Sequence, residues 1–333
     1  MPGLSYGSRG AAGQPGRPWT TGDRAVTDDE ASVVVRLVGL TKVFGAVRGI
    51  SNVNLDVTAG QTFGFLGPNG AGKSTTIRLM MGLYLPTAGR AELFGLDAQR
   101  HGPQLRRRVG YLSGELALHP RLTGREILDR TARMRGHVDR ALRAHLERRF
   151  GAELDRPVRT LSKGNRQKIG LIQAFMHDPE LLVLDEPTSG LDPLLQKEFA
   201  DLLEESVARG RTVFLSSHDL DEVQRLAHQV AIIREGQLVA SDTIEGLRRR
   251  APRTVELTFR APVDAAVFAD LLGVEVISHS GHRLGFRVSG EVGALFEAAV
   301  PYGIVDVSAR AANLDELFLS FYATTEEVGV DVR

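Results

Sequence analysis

The residues with the most specific chemistry stand in one run, Gly67-Pro68-Asn69-Gly70-Ala71-Gly72-Lys73-Ser74-Thr75. Glycines followed by Lys and Ser at this spacing form the pattern of a phosphate-binding loop. The glycines let successive backbone N–H groups curl inward onto phosphate oxygens, and a following helix adds the positive end of its dipole. Lys73 would bring a compact positive charge to the β- and γ-phosphates, and the Ser74 hydroxyl suits a magnesium ion. Gly67, Asn69, Gly70, Gly72 and Thr75 complete the candidate phosphate contacts.

A second run, Leu181-Leu182-Val183-Leu184-Asp185-Glu186, sets four apolar residues ahead of two carboxylates. A buried strand ending this way would bring Asp185 beside the phosphate loop, where it can help to hold Mg²⁺. Glu186 is then placed to polarise an attacking water as a general base. Acidic strand ends are often plain solvent-facing caps. The pairing with the glycine-rich loop makes this one specific, and the two runs together imply a P-loop nucleotide hydrolase.

These residues need a scaffold that brings distant segments to one edge. Strand-like segments at 62–66, 181–184, 213–215 and 230–233 alternate with helix-like ones such as 73–83, which predicts an α/β sheet with helices packed on it. A helical subdomain is expected at about 116–165. It opens on Thr123-Gly124-Arg125-Glu126, a capping-box pattern, and Leu142, Leu146 and Phe150 share one helical face. After Arg250 the order of strand 254–259, helix 265–272, strands 274–278 and 283–288, helix 291–299, strand 304–307 and helix 313–322 predicts a small ferredoxin-like α+β domain. Residues 1–31, rich in Gly, Pro and small polar residues, are expected to be a disordered tail, followed by an ATPase domain over 32–248 and an accessory domain over 249–333.

Composition narrows the function. Lys+Arg and Asp+Glu both number 41, so no overall basic field favours nucleic acid. With no cysteine in the sequence, disulfides, thiol catalysis and Cys-ligated zinc are excluded. No apolar run reaches the ~18 residues of a spanning helix. The start of the chain has no basic segment leading into an apolar one, so a cytoplasmic location is expected.

A third run decides the kind of hydrolase. Leu161-Ser162-Lys163-Gly164-Asn165-Arg166-Gln167 resembles the signature of ABC-type ATPases, whose usual form is Leu-Ser-Gly-Gly-Gln; here Lys163 and Asn165 replace the first Gly and the Gln. On its own, Ser162 ahead of a helix also reads as an N-cap. The resemblance to ABC transporter ATP-binding subunits covers residues 33–247. It implies nucleotide contact by Ser162, Gly164 and Asn165, a cross-dimer loop at Ser189-Gly190-Leu191-Asp192, and a switch at Ser216-Ser217-His218-Asp219 with His218 reaching γ-phosphate. It also implies stacking of adenine on Phe44.

One position departs from the family. The usual Gln after the strand Val109–Leu112, which contacts Mg²⁺ and water, is replaced by Gly114 with Glu115 next. Either Glu115 takes over that role or the loop serves contact with a partner. The form Tyr-Leu-Ser-Gly-Glu is similar to subunits that serve ABC-2-type exporters. The resemblance therefore implies ATP and Mg²⁺ as ligands, a second copy that completes each site, and a separate membrane-spanning permease, with the subunit on the inner face of the membrane. Two other readings stand beside it: a soluble ABC ATPase acting in DNA repair or translation, and a nucleotide-gated regulator without turnover.

Overall fold

The computed structural model describes residues 32–136, 138–310 and Phe318. The expected tail at 1–31 lies outside the described residues, as does the expected helix at 313–322 apart from the buried Phe318.

The first sheet is antiparallel and was not anticipated as such. β1 (Val33–Phe44) pairs with β2 (Val47–Thr58), and after β3 (Thr62–Leu66) leaves for another sheet, β4 (Ala88–Leu93) and β5 (Leu96–Asp97) complete the order β2–β1–β4–β5. Only the Val33-Val34-Val35 run announced it. The rest of β1 and β2 mixes polar residues with Leu37, Leu40, Ile50, Val53 and Val57, which are buried on one side. Such half-buried strands carry a weaker signal than fully apolar ones.

The central sheet does the positioning. It contains β3, β6 (Val109–Leu112), β7 (Leu181–Asp185), β8 (Thr212–Ser217), β9 (Gln229–Arg234) and β10 (Gln237–Thr243), in the order β10–β9–β3–β8–β7–β6. All neighbours are parallel except β9–β10. Every residue of β3 and β7 is buried, as continuous apolar runs in a parallel sheet require. Register aligns Leu66 with Ser217 and Asp185 with Ser216, so the residues after β3, β7 and β8 emerge at one edge. Ligands of open parallel sheets sit at such carboxyl ends.

Helices α1 (Lys73–Met80), α2 (Gly102–Arg108), α3 (Gly124–Arg135), α4 (Arg140–Phe150), α5 (Lys163–Phe175), α6 (Pro193–Ala208), α7 (Leu220–Leu226) and α8 (Ile244–Arg250) accompany these sheets. The capping box forms as expected: Thr123 Oγ1 accepts from Glu126 N at 3.2 Å, and Glu126 Oε2 accepts from Thr123 N at 2.9 Å. Leu146 and Phe150 of α4 are fully buried with Leu128 of α3 and Ile169 of α5. At about 25 cal/mol per Å² of apolar surface, each such side chain contributes on the order of 2 kcal/mol.

Residues beyond α8 form β11 (Arg253–Phe259), β12 (Val274–Ser280), β13 (Arg283–Val288), α9 (Gly293–Ala299) and β14 (Ile304–Arg310). The strands make an antiparallel sheet in the order β12–β13–β11–β14. Two expectations need correction. The helix at 265–272 is only a 3₁₀ turn, Ala265–Phe268. Phe268 is its one buried anchor, against Phe286 at 4.9 Å, while Leu272 is fully exposed, so a longer helix would gain no burial. The hairpin turn is also shorter, because the strands run to Ser280 and from Arg283 and leave Gly281-His282 between them, with Gly281 at φ 59°.

Candidate functional site

The phosphate loop follows β3 and is fixed from below by close backbone contact. A Cβ on Gly67 would sit 2.3 Å from the Ile233 carbonyl oxygen. Gly72, at φ 108°, precedes α1 without any side-chain cap, and a Cβ there would strike Ile50 at 2.6 Å. Glycine is therefore required at both positions, and the first N–H groups of α1 are left without a side-chain partner at the helix end. Lys73 is buried at 6% exposure, and its Nζ donates to the carbonyls of Gly67 at 2.6 Å and Pro68 at 3.1 Å. Those bonds aim the ammonium back across the loop.

The acid pair sits two strands away. Asp185 ends β7, 2% exposed, and its Oδ1 accepts from Ser216 Oγ at 2.5 Å. Glu186 has φ 51°, a left-handed backbone that is uncommon and costly outside glycine. Its N–H donates to Ser216 O at 3.2 Å, and Gln167 Nε2 donates to Pro187 O at 2.7 Å. The turn thus held sends the Glu186 side chain back over the loop. There one carboxylate oxygen lies 3.3 Å from Lys73 Nζ, and the other is 2.7 Å from His218 Nδ1.

Beside these groups opens a cavity of about 510 Å³. Phe44, Asn69, Gly70, Gly72, Lys73, Ser74, Thr75, Glu115 and Glu186 line it, so most of the residues singled out from the sequence converge. Phe44 is 42% exposed and packs edge-on against Tyr84 at 5.7 Å, which leaves a ring face for a flat ligand. Glu115 is 93% exposed and reaches Arg78 at 3.8 Å. Gly114 lies against Asp185, where an added Cβ would come 3.1 Å from Oδ2. The residues from the first half of the chain also include Val47, Arg48 and Arg78, which the sequence reading missed. Arg78 was recoverable, since it follows Ser74 by four residues on one face of α1. Ser216 and Gln167 carried no comparable signal, because each acts through a strand register or a turn.

The signature residues do not line this cavity. Ser162 is the N-cap of α5, and its Oγ accepts from Asn165 N at 3.1 Å. The Asn165 side chain, expected at nucleotide, instead clamps Glu153: Oδ1 accepts from Glu153 N at 2.8 Å and Nδ2 donates to Glu153 O at 2.9 Å. Gly164 abuts the Gly190 carbonyl, and Lys163 Nζ donates to Ser189 Oγ at 2.7 Å. Asp192 caps α6, accepting from Leu195 N at 3.0 Å.

Comparison with known proteins agrees with this geometry. The family model described as ABC transporter matches residues 50–189. The chain is 38% identical over 298 residues to the bacitracin transport ATP-binding protein BcrA of Bacillus licheniformis, covering 86% of this chain and 97% of that protein. The chain belongs to the ABC transporter ATP-binding proteins. It is also 37% identical over 215 residues to the daunorubicin/doxorubicin resistance ATP-binding protein DrrA of Streptomyces peucetius, covering 63% of this chain and 65% of that one. The dimeric structure of the cassette MJ0796 matches in fold with a TM-score of 0.59 at 21% identity, covering 63% of this chain and 98% of that chain. Members of the family hydrolyse ATP.

Magnesium fits the donors present. Among the described residues no cluster of three or more His, Cys, Asp or Glu could hold a metal alone. Ser74 and Asp185 offer one hydroxyl and one carboxylate, the sparse hard-oxygen set with which Mg²⁺ is bound jointly with substrate phosphates.

Proposed function

We propose that this chain is the ATP-hydrolysing subunit of an exporter and works as a pair of copies beneath a separate membrane-spanning permease. The observation that carries the catalytic reading is the Glu186 carboxylate, shared between Lys73 and His218 at the mouth of the phosphate loop. Phosphates entering the loop take over the charge of Lys73 and release Glu186 toward the attacking water. Water then attacks the γ-phosphorus, its proton passes to Glu186, and the bond to the ADP oxygen breaks. His218 holds the carboxylate and faces the γ-phosphate. Mg²⁺, held by Ser74 and Asp185, would supply neutralisation of charge on the phosphate oxygens.

Ser162 and Gly164 lie outside their own copy's cavity, which supports a composite site closed by a second copy; the MJ0796 cassette is itself dimeric. In this reading Ser162 and Gly164 of the second copy meet the γ-phosphate and Asp192 lies at the dimer seam. Phe44 stacks on adenine. The exposed Glu115 beside Arg78 supports a role for this loop in contact with nucleotide or permease. The names of BcrA and DrrA, as transport and resistance ATP-binding proteins, support a drug-like cargo and a pore supplied by a partner. Similarity along 97% of BcrA favours transport over DNA repair or translation. The C-terminal region assigned to 249–333 is an accessory module of ferredoxin-like α+β kind, a reading supported within the described residues by the strand order β14–β11–β13–β12.

Glu186→Gln tests the reading. Nucleotide binding should persist within about threefold, and steady-state turnover should fall by about 10²-fold or more, the usual scale for a general base. Turnover equal to that of the unaltered chain would remove Glu186 from the chemistry.

A further inference from the structure

Beneath the site lies a buried acid that the hydrolysis scheme does not use. Glu222, in α7, is 5% exposed, and its Oε2 accepts a short hydrogen bond from Ser217 Oγ. Ser217 is the last residue of β8 and the one before His218. Its carbonyl accepts from Gly67 N at 3.2 Å, and its hydroxyl accepts from Asp219 N at 3.0 Å. The same residue therefore ties the start of the phosphate loop, the His218 switch and the cap of α7. The other Glu222 oxygen, Oε1, is buried without a hydrogen-bond partner, with the Thr188 hydroxyl nearby on the segment that leaves Glu186.

We propose that Glu222 is a positioning residue for hydrolysis: its buried carboxyl pins Ser217, and through it the backbone that holds His218 against Glu186. The inference rests on the ATPase reading of the site given above. Glu222 touches neither His218 nor Glu186, so it acts through Ser217 on one side and Thr188 on the other. The Thr188 hydroxyl can donate to Oε1 of a carboxylate or accept from a protonated acid, so it is placed to hold the second oxygen in either form. Burial pushes the carboxyl above its ordinary range; the hydroxyls of Ser217 and Thr188 counter part of that effect. The charged groups facing it, Glu186 beyond β7 and Asp219 at the cap of α7, are both acidic and push it further up. Ionisation would place a third negative charge there and repel Glu186.

The test uses the full chain with ATP and Mg²⁺, measuring kcat, KM, nucleotide affinity and thermal unfolding for E222Q, E222L and S217A. The amide of E222Q can accept from Ser217 and donate to Thr188, so its kcat at neutral pH should stay within about threefold. E222L should lose about tenfold or more in kcat with nucleotide affinity held within about threefold, and S217A should behave alike, with little added loss in the double variant. An unchanged kcat in E222L overturns the proposal, as does a kcat of E222Q as low as that of E222L. If E222L fails to fold, S217A decides, and an unchanged kcat there overturns the proposal. Absence of any ATP hydrolysis by the unaltered chain would instead remove the reaction itself, and with it the role assigned to Glu222.

Discussion

Helix α1 begins at the phosphate loop and α5 at the signature run, and the two begin in opposite ways. Gly72 opens α1 in a left-handed conformation with no side-chain cap, and Lys73 follows immediately. Ser162 opens α5 by capping it from within, and Asn165 is spent on the Glu153 backbone. An uncapped start leaves N–H donors for a ligand, whereas a self-capped start is satisfied without one. The difference fits the proposed arrangement, in which the phosphate-loop half binds nucleotide within one copy and the signature half is recruited on closure.

The comparison breaks most sharply at Lys73. Lys73→Ala should weaken ATP binding on the order of a hundredfold, measured by equilibrium titration with a fluorescent ATP analogue, because a buried charge-assisted contact is lost. Next in size is Gly72→Ala. The positive φ and the contact with Ile50 should cost about 1–3 kcal/mol in chemical denaturation, with nucleotide affinity falling as well. Ser162→Ala should cost about 1 kcal/mol as a lost cap. It should leave ATP affinity of the single copy unchanged and still lower turnover, a split that an ordinary cap would not produce.

The remaining effect lies just past the end of α5 and depends on pH. Burial, with help from Arg135, depresses the His177 imidazole to about 4. Its Nε2 faces Val109 O at 3.2 Å. The folded chain thus prefers the neutral ring, so this contribution is present above pH ~6.5 and is lost as pH falls through that value toward 4. The expected loss is on the order of 2 kcal/mol, read from denaturation midpoints between pH 7 and pH 5. His177→Gln should flatten that slope.

Much of this contrast was legible beforehand because it lies in contiguous runs. The phosphate loop, the acid-ended strand and the capping box at Thr123 each encode their geometry within a few residues, and β3 and β6 were located to the residue. What stayed hidden depends on segments meeting across the sheet. Ser216 reaches Asp185 only because β8 lies in register beside β7, and Gln167 reaches Pro187 only because α5 packs against that turn. The Asn165 clamp depends on the chain returning at Glu153, a contact that no run of neighbouring residues encodes. In the C-terminal sheet, periodicity at 265–272 promised a helix, but only Phe268 there is fully buried and Leu272 is left fully exposed.

The central claim is that neither half of the site suffices within one copy. Its most direct test is the mass in solution of the Glu186→Gln chain with and without ATP and Mg²⁺, by light scattering after gel filtration. ATP should convert it from one copy to two, and the conversion should vanish when Lys73→Ala or a signature change such as Gly164→Glu is added. A Glu186→Gln chain that binds ATP tightly and remains a single copy would contradict the account.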